Sequence, residues 1–172
     1  MRIAEKHNSE ELRWEQLRRK HGSAVWGVVY RILAHYEDAR DCLQEVFFDA
    51  YRSPSAETVR NWRAYLCWLA TRRAIDRLRT RREKRCEPLL SEPMAPRSVN
   101  PAEQSETGAI IREELDRLPE AQATAFWMSC VEQLTYQEIA EQMQTTSNAV
   151  GLLIHRARHQ LKQKLRHLME DR

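Results

Sequence analysis

The sequence predicts an all-α protein: two small helical domains joined by a proline-rich linker, the second domain a helix-turn-helix. Three observations carry that prediction. The 172 residues include only four glycines, and no stretch alternates β-branched with polar residues at the two-residue period of a half-buried strand. Apolar residues recur instead at helical spacing through long charged stretches. Between two such regions lies "CEPLLSEPMAPRSVNPAEQ", where Pro88, Pro93, Pro96 and Pro101 remove backbone donors and fix φ too often for a helix to persist.

Taken in order, Val25, Val29, Ile32, Leu33 and Tyr36 form one helical stripe. Ala39, Leu43, Val46, Phe47 and Ala50 form a second, with a break near "HYED". A third helix runs from about Arg60 to Arg82. Beyond the linker a helix around Ala109 to Arg117 leads to "LPEAQATAFWMSCVEQ", where Pro119 marks a helix start. The stretch "LTYQEIAEQMQTTSNAVGLLIHRARHQL" then has the form of a helix, a tight turn and a second helix. These elements divide the chain into a domain over 1–85, a linker over 86–104 and a domain over 105–172, with no internal repeat.

Charge is segregated along the chain. Residues 60–85 hold ten Arg or Lys against two acids, whereas residues 86–118 hold seven acids against three Arg. A basic block of this density suggests a polyanionic partner, and the acidic block suggests self-avoidance. No apolar run approaches the ~20 residues that cross a bilayer, and the N-terminus lacks a signal-peptide core, so membrane insertion is not expected and a cytoplasmic location is. Cys42, Cys67, Cys86 and Cys130 are scattered without a CxxC pair and read as buried thiols. No nucleophile with its base, phosphate-binding glycine loop or paired acid motif is present, which argues against an enzyme and implies no cofactor. His155 and His159 stand four apart, but no carboxylate or Cys lies at ligand spacing beside them, so no metal is expected.

Two surfaces stand out. On the second helix the face opposite the apolar stripe carries Asp41, Glu45, Phe48 and Arg52, an exposed aromatic among acids that fits protein docking as well as a solvated face. The third helix changes from aromatic and apolar in "NWRAYLCWLA" to guanidinium-dominated in "TRRAIDRLRTRREKR". A helix dipole favours cations over its last turn only, so it does not explain the extent of this block, and nucleic acid does. Arg72, Arg73 and Arg77 are its candidate contacts. Trp62, Tyr65 and Trp68 are core residues or platforms for unstacked bases.

In the helix-turn-helix, the first residues of the second helix meet base edges. Here they are Thr146, Ser147 and Asn148, with Thr146 as the expected N-cap. No Lys or Arg occurs from Thr145 to Ile154, so phosphate contacts fall to Arg156 and Arg158 and to the basic helix of the other domain. Gly151 would let the backbone approach DNA closely.

In this order, "DARDCLQEVFFDAY", "NWRAYLCWLATRRAIDRLRTRR", the proline-rich linker, "LPEAQATAF" and "LTYQEIAEQM...SNAVGLLIHRARHQL" resemble bacterial sigma factors of the extracytoplasmic-function class. The resemblance spans about Trp14 to Leu165. It implies a factor that directs core RNA polymerase to promoters, docking through Asp41, Gln44, Glu45, Phe48 and Asp49. It further implies minus-ten recognition and melting by the first domain, minus-thirty-five recognition by the helix after Thr146, a linker threading toward the polymerase cleft, and an inhibitory anti-sigma partner. The chain departs from the family pattern at Arg72, where Asn is common, at Gln144, where the turn usually has Gly, and at "VGLL", where Val-Lys-Ser-Arg is frequent. The alternative reading is a helix-turn-helix regulator that binds DNA directly as a dimer.

Overall fold

The computed structural model describes residues 2–53, 58–86 and 106–170; residues 54–57 and all of the expected linker but Cys86 lie outside them. Seven helices and no strand occur among the described residues. They are α1 (Arg2–Leu33), α2 (Tyr36–Arg52), α3 (Trp62–Cys86), α4 (Glu106–Arg117), α5 (Glu120–Cys130), α6 (Tyr136–Met143) and α7 (Ser147–Glu170). None is long and apolar enough to cross a membrane.

The first helix begins far upstream of its apolar stripe. The charged N-terminal stretch has no proline to stop it, and Trp14 gives it an anchor: its ring meets Tyr51 and Trp62 edge-on at 5.3 and 5.4 Å. The break expected near "HYED" falls at Ala34, whose φ of 48° puts it in the left-handed region. Its N–H donates to Tyr30 O at 2.8 Å, closing α1, and His35 Nδ1 accepts from the Asp38 N–H at 3.3 Å, opening α2. Ala39, Cys42, Val46 and Ala50 are buried, and Leu43 and Phe47 pack on them half-buried.

The third helix is the centre of the molecule. Asn61 precedes it as N-cap, with Oδ1 accepting from the Ala64 N–H at 3.1 Å. Along α3, Leu66, Cys67, Ala70, Ala74 and Ile75 join the core of α1 and α2, while Ala64 belongs to a second core with Met128, Leu134, Ile139, Val150 and Ile154. Leu115, Leu118 and Trp127, from α4, the turn after it and α5, are continuous in turn with the first core. Small side chains at 64, 70 and 74 allow helices to approach α3 from two sides. The two regions separated by the linker in sequence are therefore packed side by side.

Pro119 stands at the N-cap of α5, one position earlier than the first helical turn expected of it. Cys42 and Cys67 are buried as expected, and that burial pushes their thiols up to about 12 and about 11. They are inert at neutral pH.

A side chain in the left-handed region costs an L-residue roughly 1–2 kcal/mol, part of which glycine loses again through unfolded-state entropy. Ala34→Gly should therefore stabilise the protein by about 0.5–1 kcal/mol, raising Tm by about 1–4 °C in a thermal melt. A lower Tm would mean the Ala34 side chain contributes packing that outweighs its backbone cost.

Candidate nucleic-acid interface

The helix-turn-helix is held by caps at both of its helix starts. Before α6, Thr135 Oγ1 accepts from the Glu138 N–H at 3.2 Å while the Thr135 N–H donates to Glu138 Oε2 at 2.9 Å. This reciprocal capping box satisfies donors that the helix start would otherwise leave open. The Thr-x-x-Glu spacing of residues 135 and 138 is the local sequence signal of this box. At the other end of α6, Gln144 takes the left-handed conformation, φ 52° and ψ 48°, at the place where glycine would be free of strain. The turn ends at Thr146, whose Oγ1 accepts from the Ala149 N–H at 3.2 Å, making it the cap of α7.

Val150, Ile154, Ala157 and Leu161 are buried and set the rotation of α7. Thr146, Ser147 and Asn148 at its start are exposed, and so are Leu152, His155, Arg156 and His159. Gly151 faces protein: a Cβ there would lie 3.5 Å from the Tyr136 ring, in ordinary contact. Arg158 is exposed, with its Nη2 3.3 Å from Cys130 Sγ. No group of three potential metal ligands occurs among the described residues.

The acidic face of α2 is open to solvent. Asp41, Gln44, Glu45 and Phe48 are exposed, Phe48 at 56%, and the Arg52 guanidinium sits 5.2 Å above the Phe48 ring. Asp49 is half-buried, because it faces α3. There the two surfaces expected to act separately meet: Arg73 Nε donates to Asp49 Oδ2 at 2.7 Å, and Arg77 Nη2 to Glu45 Oε1 at 2.7 Å. Arg77 also reaches Asp38 O at 3.1 Å, and Arg81 pairs with the Asp38 carboxylate. Side by side, an acidic helix and a basic one join through opposite charges.

Other α3 cations turn to the second half of the chain. Arg72 Nε donates to Glu120 Oε1 at 2.7 Å with its guanidinium 5.1 Å from the Trp68 ring centroid. Arg79 Nη2 donates to Leu118 O at 2.6 Å, and Arg82 pairs with the buried Asp116 at 3.1 Å. Arg31 of α1 meets the buried Glu132 at 2.9 Å. Asn61 Nδ2 donates to Glu138 Oε1 at 3.0 Å, so the cap of α3 is tied directly to the capping box of α6. Trp62, Tyr65 and Trp68 are half-buried, consecutive rings along α3 rather than free platforms. Between Asn61, Tyr65 and Trp68 on one side and Glu141 and Gln144 on the other lies a cavity of about 450 Å³.

The backbone and hydroxyl hydrogen bonds from Thr135, with that from Asn61, hold the Glu138 carboxyl below the usual glutamate range. Its folded pKa lies below its unfolded one, so its contribution is fully present above the unfolded value of about 4.3 and is lost as pH falls through the folded value. Glu138→Gln should destabilise by about 1 kcal/mol at pH 7. In denaturant titrations that difference should shrink as pH falls below the ordinary glutamate range; a constant difference would exclude a role for the ionised carboxylate.

Residues 17–84 match the model of sigma-70 region 2, and residues 108–161 match that of sigma-70 region 4. The extracytoplasmic-function RNA polymerase sigma factor SigE of Mycolicibacterium smegmatis is 29% identical over 157 residues, covering 88% of this chain and 61% of that protein. The ferric citrate uptake sigma factor FecI of Escherichia coli is 28% identical over 150 residues, 85% of this chain and 87% of FecI. Among solved structures, the sigma factor RpoE in complex with the anti-sigma factor NepR, from Bartonella quintana, has a TM-score of 0.59 at 17% identity, covering 88% of this chain and 96% of that one. CnrH in complex with the cytosolic domain of CnrY has a TM-score of 0.61 at 20% identity, covering 90% and 88%. Both share the fold. With both regions matched in order on the two halves that carry the surfaces above, the chain belongs to the sigma-70 family of RNA polymerase sigma factors, in its extracytoplasmic-function class.

Proposed function

We propose that this chain directs core RNA polymerase to specific promoters and starts transcription there in the cytoplasm, contributing binding and no catalysis of its own. The carrying observation is the division of labour between its halves. The recognition helix presents exposed Thr146, Ser147 and Asn148 at a capped, uncharged start, while the dense cations reside on α3. Neither half combines base-edge groups with strong phosphate attraction, which suits a DNA reader that acts inside a larger complex.

In this reading α2 docks on the polymerase through Asp41, Gln44, Glu45, Phe48 and Asp49. Arg72, with Arg73 and Arg77, serves minus-ten DNA. Asn148 and Ser147 meet base edges of the minus-thirty-five element, and Arg156 and Arg158 meet phosphates. Residues 1–85 and 105–172 act as the two DNA-reading domains, joined by the linker over 86–104. The solved complexes of RpoE with NepR and of CnrH with CnrY support control by an anti-sigma partner here as well.

The packed arrangement has a consequence for this activity. Arg72 is partly exposed and paired with Glu120, so a DNA phosphate would replace that carboxylate as its partner. Exposed ion pairs such as Arg72–Glu120 contribute at most about 1 kcal/mol each and are screened by salt.

Phe48→Ala should weaken binding to core polymerase by about 2 kcal/mol, roughly thirtyfold, with helicity and Tm nearly unchanged because the ring is exposed. A large loss of Tm with undiminished polymerase binding would contradict that role. In the assembled holoenzyme, Asn148→Ala should relax preference at one or two minus-thirty-five positions, and Arg156→Ala should lower affinity for all sequences alike. Selection from a randomised duplex pool distinguishes the two. Tight, sequence-specific binding by the chain alone as a dimer would instead favour a direct regulator.

A further inference from the structure

Leu152 has no structural duty that its position accounts for. It lies on α7 at 59% exposure, while the next residue, Leu153, packs half-buried against the second core. The stripe of Val150, Ile154, Ala157 and Leu161 fixes the rotation of the helix and turns Leu152 to the opposite side. A single exposed leucine is unremarkable on most helices. Here its neighbours on the same face are Asn148 one turn earlier and Arg156 one turn later, both exposed. The apolar side chain is thus centred between a base-edge group and a phosphate group.

Leucine neither donates nor accepts a hydrogen bond. Pressed against a guanine, adenine or cytosine edge, it would strip water from polar atoms and return nothing. Thymine alone presents an apolar group in the major groove, its C5-methyl, and apolar side chains recognise it by contact. We infer that Leu152 is a specificity-determining residue that reads a thymine methyl in the minus-thirty-five element, between the positions served by Asn148 and Arg156. The inference rests on the promoter-binding function proposed above and names what that helix selects.

Deoxyuridine differs from thymidine at this edge only by the methyl group, so it isolates the contact. The full chain, assembled with core polymerase, is first selected against duplexes randomised over the minus-thirty-five element. The enriched duplex is then compared with one carrying deoxyuridine at each thymine in turn. The parent should enrich thymine at one position, and deoxyuridine there should weaken binding by about three- to tenfold. Leu152→Ala should abolish both the enrichment and the penalty while keeping the preference that depends on Asn148. Leu152→Met, which retains apolar reach, should keep both. A penalty equal in parent and Leu152→Ala, or no penalty at any thymine, would overturn the assignment and leave promoter binding standing. A holoenzyme with no preference anywhere in the element would overturn both readings. Loss of polymerase binding in Leu152→Ala with the thymine penalty unchanged would make the leucine a protein contact instead.

Discussion

Everything in this molecule is arranged around α3, because it is the one helix that both halves of the chain need. Alanines at 64, 70 and 74 let neighbours approach it closely, and its buried residues are divided between two cores. Asn61 at its start caps it and, through the other end of the same amide, holds the capping box of α6. The geometry of the helix-turn-helix relative to the basic helix therefore depends on a side chain outside both elements.

Charge follows the same plan. In the linear sequence a basic block is followed by an acidic one, which suggests a polyanion for the first and repulsion for the second. In space Arg82 meets Asp116 of the acidic block, Arg72 meets Glu120 just beyond it, and Arg73 and Arg77 meet the acids of α2. Much of the positive charge that reads as free in the sequence is locally neutralised. Because most of these pairs are exposed, they hold the arrangement without locking it.

Helix faces were legible in the sequence because burial follows the 3.6-residue period, and α2 presents Phe48 and Glu45 outward as its pattern requires. The Thr146 cap and the awkward turn at Gln144 were legible too, since both are local chemistry. The length of α1 was not. Its first two-thirds lacks the apolar stripe on which the reading relied, and Trp14 finds its partners only through residues some forty positions away. Contacts across the linker were invisible for the same reason: nothing near Glu132 in sequence announces Arg31, and nothing near Asp116 announces Arg82. At Gly151 the sequence offers no side chain to read, and the structure adds only that a Cβ there would meet the Tyr136 ring in ordinary contact.

The uncharged start of α7 makes sense once the location of the cations is considered. A helix-turn-helix that binds alone must carry its own phosphate contacts, since counterion release supplies most of its affinity. This one carries few near its leading edge, and the larger supply on α3 is engaged with carboxylates while the halves are packed together. On the proposed function, the free chain would then have weak affinity for DNA in general. Assembly on polymerase would hold both halves near the same promoter, so that two modest contacts act at high effective concentration. Under that arrangement the recognition helix can do without cations at its leading edge, because the assembled complex supplies the affinity they would add.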